Sequence, residues 1–337
     1  MKKTSLALTL LACGGLGFGL SAGLETSRQP VPAPANDPPA VNLESLGRFK
    51  ISRSAYEAMD EGRFDESRAI LDTMLAAPAN ELEIIAMTRL KARSYQLEGA
   101  FAQADEQLLL ALAELDARPG LEKDWPTRRG EIMMDRAYLY DSSIHDYEQA
   151  IRLYDAVAAL PDRSVEREDG WIARQNAAMT CGQRGRHTEA LKRAQDLLDS
   201  RFASEMTQTV KLHVRRTMVS WARASGDLQG AFDMLKELWR DCGDRTDDIA
   251  FSAGVQLATL YPVPDACAPR LEIVKALLRK IEILRTAPPP LGHYEFAINI
   301  AEEERSVLVI CADSYGCPQD VELVRYARAR LGLPAVP

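Results

Sequence analysis

The chain has 337 residues, 46% apolar and 27% charged, with a formal net charge of −8. That length allows one extended domain or two compact ones, and the balance suits a soluble fold once the first segment is set aside. Basic residues gather only in short pairs such as Arg128-Arg129 and Arg215-Arg216. This argues against nucleic acid, which rewards a dense basic face.

Residues 1–23 read as a signal peptide or N-terminal membrane anchor. Lys2-Lys3 lead into an uncharged apolar run from Leu6 to Ala22, the layout of an export signal. Three fates are open. Leu10-Leu11-Ala12-Cys13-Gly14 resembles a bacterial lipobox, in which Cys13 becomes the lipidated first residue. Cleavage near Ser21, Ala22 or Gly23 is the second. Retention is the third, the run being at the lower limit for spanning hydrocarbon. All three place the chain in the periplasm or cell envelope. Residues 24–42 hold Pro30, Pro32, Pro34, Pro38 and Pro39; proline removes donors and favours polyproline II, giving a semi-rigid spacer.

From residue 43 to 243 one phrase recurs: a small residue or aromatic, three positions, glycine, one position, an aromatic or apolar residue, then a small residue. Its copies are Ala58…Gly62-Arg-Phe64…Ser67, Tyr95…Gly99-Ala-Phe101…Ala104, Cys181…Gly185-Arg-His187…Ala190 and Ala222…Gly226-Asp-Leu228…Ala231. The spacing predicts a helix that ends at the glycine, where φ > 0 is needed, and a second helix that starts two residues later. Ala55, Ala92, Ala178 and Val219 each lie two turns before a hinge glycine, on the face where two helices cross closely. A degraded copy, Asp146-Tyr147…Ala150, has His145 in the glycine slot. About seven helix pairs are predicted, the last two, in residues 244–337, degenerate and capping. The fold class is all-α, a solenoid of αα-hairpins.

These residues resemble the tetratricopeptide (TPR) family. The intervals between hinge glycines are unequal and longer than the roughly 34 residues usual there, and the early Trp-Leu-Gly element is missing. The resemblance implies that the first helix of each pair lines a concave groove that binds a protein or peptide. Carried over by distance before each hinge, the groove positions are Tyr56, Met59, Arg89, Arg93, Gln96, Gln175, Met179, His213, Arg216 and Arg223. Four arginines with few acids among them suggest a locally basic groove, suited to an acidic segment or a free carboxy terminus.

Beyond Cys13 there are five cysteines, an odd number that cannot all pair within one chain. Cys267, Cys311 and Cys317 fall near inside turns of the last two pairs. The expected disulfide is Cys311–Cys317 or Cys267–Cys317, clipping the cap, unless all five stay reduced. No metal or cofactor is expected: the four histidines lack ligand spacing, and phosphate-loop and nucleophile-elbow motifs are missing. The reading is a non-enzymatic, exported scaffold for a protein or peptide partner, tethered to the membrane through its N-terminus if the leader is lipidated or retained and untethered if it is cleaved later. The alternative is a helical envelope enzyme or glycan-binding protein working through a lone carboxylate.

Overall fold

The computed structural model describes residues 53–78, 80–161, 167–263, 265–286, 299–314 and 321–335. Cys13, the leader, the linker and Cys317 lie outside the described residues. The chain divides into two compact units between Leu153 and Tyr154, inside the 43–243 stretch of repeats.

In the first unit a helix over residues 53–60 (α1) precedes α2 (Phe64–Ala76), and α3 (Glu81–Glu98) pairs with α4 (Phe101–Ala117). A short helix, α5 (Pro119–Asp124), has no hinge phrase in the sequence. It leads to α6 (Arg128–Tyr138) and a π-helical turn, Leu139–Ile144. The boundary between units falls within α7 (Tyr147–Ala158). In the second unit α8 (Arg167–Gln183) pairs with α9 (His187–Leu198), and a 3-10 turn spans Arg201–Ser204. Then α10 (Gln208–Ala224) pairs with α11 (Leu228–Cys242), α12 (Asp248–Leu260) with α13 (Cys267–Thr286), and α14 (Ile300–Ala312) with α15 (Val321–Arg330). Successive pairs stack, α9 on α10, α11 on α12 and α13 on α14, and the first helices α10, α12 and α14 also touch in turn. Among the described residues there is no strand.

The hinge phrase explains where the helices stop. Gly62, Gly99, Gly185 and Gly226 all have φ between 74° and 89°. At each, the glycine N–H reaches the carbonyl three residues back, and the next N–H reaches five back. Examples are Gly99 to Gln96 at 3.1 Å with Ala100 to Tyr95 at 2.8 Å, and Gly226 to Arg223 at 3.1 Å with Asp227 to Ala222 at 2.9 Å. These are Schellman closures, which satisfy orphan carbonyls of the first helix. Phe64, Phe101, His187 and Leu228 then open the second helices. The small residues do what their spacing predicts: Ala55, Ala92, Ala178 and Val219 are buried at the crossing, as are Ser67, Ala104, Ala190 and Ala231. Behind them Leu71, Leu108, Leu197, Leu235 and Leu238 form the core, each worth about 2 kcal/mol of transfer free energy. Gly182 extends the rule, since a Cβ there would sit 2.2 Å from Trp221 Nε1, so its absence lets α8 and α10 close up.

His145 fills the glycine slot with φ 61°, and no other described non-glycine residue has positive φ. The π turn before it accommodates an extra residue, and the His145 Nδ1 lies 3.1 Å from the Asp141 carbonyl. The left-handed conformation costs an L-residue about 1–2 kcal/mol. Glycine gives back part of that in unfolded-state entropy. His145→Gly is therefore expected to stabilise the hinge between α6 and α7 by about 0.5–1 kcal/mol, checked by the thermal midpoint in circular dichroism.

Candidate functional site

The candidate positions divide between the two units, five in the first and five in the second. In the first unit, Tyr56 on α1 is exposed. Met59 belongs to the core instead, 4% exposed and packed with Ala55, Leu71 and Leu90. Arg89 on α3 faces α6. Its Nη1 donates to Glu131 Oε2 at 2.5 Å, and its Nε donates to Asp135 Oδ2 at 2.8 Å. Arg89 precedes its hinge by the same distance as Asp135 precedes His145, so the pair joins equal heights on consecutive first helices. Nearer the hinge, Gln96 donates to Ser143 Oγ at 3.2 Å. Arg93 is exposed beside them and acts on Asp135.

The electrostatics follow from that pairing. Burial pushes the Asp135 carboxyl above its ordinary value, against the opposing pull of Arg89. Burial also acts upward on Glu131, but Arg89 and Arg128 together hold it below the usual carboxylate range. A locally basic groove, as expected from the sequence, is thus corrected here: the acids absent from the candidate positions arrive from the next first helix and neutralise the arginine.

In the second unit Arg216 repeats the clamp. Its Nη1 donates to Asp248 Oδ2 on α12 at 2.6 Å, and its Nη2 lies 3.1 Å from His213 Nδ1. Arg223 is exposed and donates to Gln256 Oε1 on α12 at 3.4 Å. Gln175 and Met179 on α8 line a cavity of about 10 Å³ with Leu197, Val214, Thr217 and Trp221. That is at the threshold for one water. Within each unit, then, the candidate residues of neighbouring first helices do share a face. Sequence reasoning missed Glu131, Asp135, Asp248 and Gln256. The available signal reached only Asp135, which stands as far before His145 as Arg89 stands before Gly99, and is visible once His145 is accepted as a hinge.

No family model matches the chain, and no curated protein matches it. Solved structures similar to it include the C-terminal part of a TPR repeat-containing protein from Cytophaga hutchinsonii, at 13% identity over 85% of this chain and 96% of that one, TM-score 0.49. A tetratricopeptide repeat protein from Parabacteroides merdae is 17% identical over 83% and 98%, TM-score 0.42. The apo quorum sensor NprR from B. thuringiensis is 12% identical over 86% and 90%, TM-score 0.40. The helix-pair architecture stands on the hinges and packing of this chain itself.

The cysteines need one correction. Cys311 is a buried, reduced thiol whose Sγ–H donates to the Leu323 carbonyl at 3.6 Å, so it is no half of a Cys311–Cys317 bridge. Cys267 is the disulfide-bonded cysteine, at the first position of α13. The physical reason is direction: Cys311 is on the last turn of α14, turned into the core with Val307 and Leu308. Cys181 and Cys242 are buried thiols pushed up to about 11 by burial, far from a reactive thiolate. Among the described residues no group of three His, Cys, Asp or Glu is placed to hold a metal ion, and no helix is long and apolar enough to cross a membrane.

Proposed function

We propose that the chain is an exported, non-enzymatic scaffold of the cell envelope that binds a protein or peptide along its first-helix face. The leader supplies the export, whether Cys13 is lipidated, the leader is cleaved near Ser21, Ala22 or Gly23, or it is retained; where it is lipidated or retained, the proline-rich segment holds the repeats away from the membrane. The observation that carries the binding reading is the tie between equal heights of α3 and α6, Arg89 to Asp135, with Gln96 bonded to Ser143 nearer the hinge. It gives α3 and α6 one polar face, with Arg93 exposed on α3 and Tyr56 exposed on α1. Side chains held in rows by their neighbours lose little entropy when a ligand docks. Because Arg89 and Arg216 are already paired with carboxylates, the ligand at those two positions is one that hydrogen-bonds to paired charges, while Arg93 and Arg223 are exposed on the same first helices.

The test is photo-cross-linking in intact cells of the source organism. A benzoylphenylalanine is placed at Tyr56, Arg93 or Arg223, and as controls at Leu110 on α4 and Glu237 on α11, both exposed on second helices. The expected outcome is one adduct of the same mass from the first-helix positions, recovered in the envelope fraction and missing from the controls. Equal adducts from Leu110 and Glu237 end the groove reading, and recovery in the cytosol ends the export reading.

A further inference from the structure

Several arginines of the second unit are held by carboxylates of the chain itself. Arg186 and Arg193 donate to Glu189 at 2.8 and 2.9 Å, Arg193 donates also to Asp155 at 2.7 Å, and Arg216 donates to Asp248 at 2.6 Å. Arg174 on α8 is half-buried like them, yet among the described residues it makes no hydrogen bond and no ion pair, and its Nε is buried without an acceptor. The sequence explains why. A helical arginine meets its carboxylate three or four residues away. Those places around Arg174 hold Gly170, Trp171, Ala177 and Ala178.

What the guanidinium has instead is a platform. Its Cζ lies 5.3 Å from the centroid of the Phe202 ring, in the 3-10 turn between α9 and α10. The ring is buried and rests on Gly170, where a Cβ would come within 2.5 Å of Phe202 Cε1. A glycine of α8 thus seats the aromatic on which an α8 arginine one turn later lies. Arg201 shares the ring with its Cζ 4.7 Å from the centroid, so the second charge on the platform is positive too. Ring and guanidinium attract through the ring quadrupole, which fixes the cation in place without spending its N–H donors.

The donors left over set the chemistry. All five lie in the plane of the guanidinium, and stacking covers only its face. Burial closes off Nε, which leaves the end carrying Nη1 and Nη2 as the open edge. That edge presents two parallel N–H bonds, the spacing of the two oxygens of a carboxylate. Arg89 and Arg216 cannot serve in this way, because each already donates to a carboxylate of its own chain.

We infer that Arg174, laid on Phe202, is a carboxylate-binding site that takes an acidic side chain or a free carboxy terminus of a protein or peptide through Nη1 and Nη2. The inference rests on the proposed function for the kind of partner, and adds a contact outside the groove positions carried over from the sequence. The chain has a formal net charge of −8, so a lone carboxylate gains nothing from long-range steering and binds through this local pairing. Salt weakens such a partly exposed pair.

The experiment follows the side-chain Nε–H signal of Arg174 by nuclear magnetic resonance in the whole mature chain, the signal being assigned by its loss in Arg174→Lys. The probes, at one ionic strength, are N-acetylglycine, which has a free carboxy terminus, and N-acetylglutamate methylamide, which has only the side-chain carboxylate. N-acetylglycinamide, with no carboxylate, and inorganic phosphate are the comparisons. Expected is a saturable shift with at least one carboxylate probe, at a midpoint at least about tenfold below that of the amide, and the tighter of the two identifies the source. Phe202→Leu, which keeps an apolar seat without a ring face, should weaken that binding at least about threefold. No saturable shift with either carboxylate, an equal midpoint with the amide, tighter binding of phosphate, or an unchanged midpoint in Phe202→Leu overturns the site. The probe titrations are read on the wild-type chain and need neither partner nor export, so their failure strikes this site alone and leaves the cross-linking result to decide the proposed function.

Discussion

Arg270→Met is expected to lower the stability of the second unit by about 3 kcal/mol, the largest loss we foresee from a single neutral substitution. Arg270 is on the first turn of α13 and only 8% exposed. Its Nε donates to Ser314 Oγ at 2.9 Å, its Nη1 to the Tyr261 carbonyl at 3.2 Å and its Nη2 to the Ile310 carbonyl at 3.0 Å. Tyr261 caps α12 and Ile310 lies in the last turn of α14. One guanidinium thus serves two helix C-termini, where carbonyls lack intrahelical donors and carry the negative end of the dipole. Burial works against the charge, and Asp313 is the carboxylate that offsets it. Methionine keeps the apolar stem but strands the Tyr261 carbonyl and removes the charged donor from Ser314 Oγ and the Ile310 carbonyl, which keep only their mutual bond at 2.9 Å; each acceptor left short costs about 1–3 kcal/mol. Urea unfolding followed by tryptophan fluorescence should show the midpoint fall with an unchanged slope. A loss under about 1 kcal/mol means that water replaces the guanidinium there.

Nothing in the sequence singles Arg270 out, and the contrast with the hinges is instructive. The hinges could be read because backbone geometry and burial are set within a few neighbouring residues. A glycine that must adopt positive φ, an apolar residue that opens the next helix and a small residue at a crossing are all local requirements. They placed the starts of α2 and α4 at Phe64 and Phe101, and they placed His145 in a left-handed slot from its position alone. The π turn and α5 escaped because they fill an interval between phrases where no local rule repeats. The partners of charged side chains escaped for a different reason. Arg89 meets residues 42 and 46 positions away, and Arg216 meets one 32 positions away, so their roles depend on how consecutive pairs are seated. Four arginines on a list of groove positions look basic until the facing helix is known. Cys311 makes the same point, since its place near a turn was readable and its direction into the core was not.

The clamp itself yields the second large effect. Arg89→Glu is expected to cost the first unit about 3 kcal/mol, because it sets a third carboxylate against Glu131 and Asp135 where a partly buried cation had joined them. Exposed pairs are worth at most about 1 kcal/mol, and a buried charge left without its partner about 3–5, with this site between the two. Loss of partner capture in Arg89→Glu would then report unfolding as readily as recognition, so the single reversal cannot stand alone. Combining it with Asp135→Arg restores an attractive pair at the same height with the charges exchanged. Chemical denaturation should recover at least half of the lost stability in the double variant, and a non-additive gain is the signature of direct contact. In that refolded background, the adduct formed from benzoylphenylalanine at Tyr56 should drop at least tenfold if the row of Arg89 and Asp135 positions the ligand. An undiminished adduct in the stable double variant would leave the pair a structural tie between α3 and α6 and move recognition to the other residues of that face.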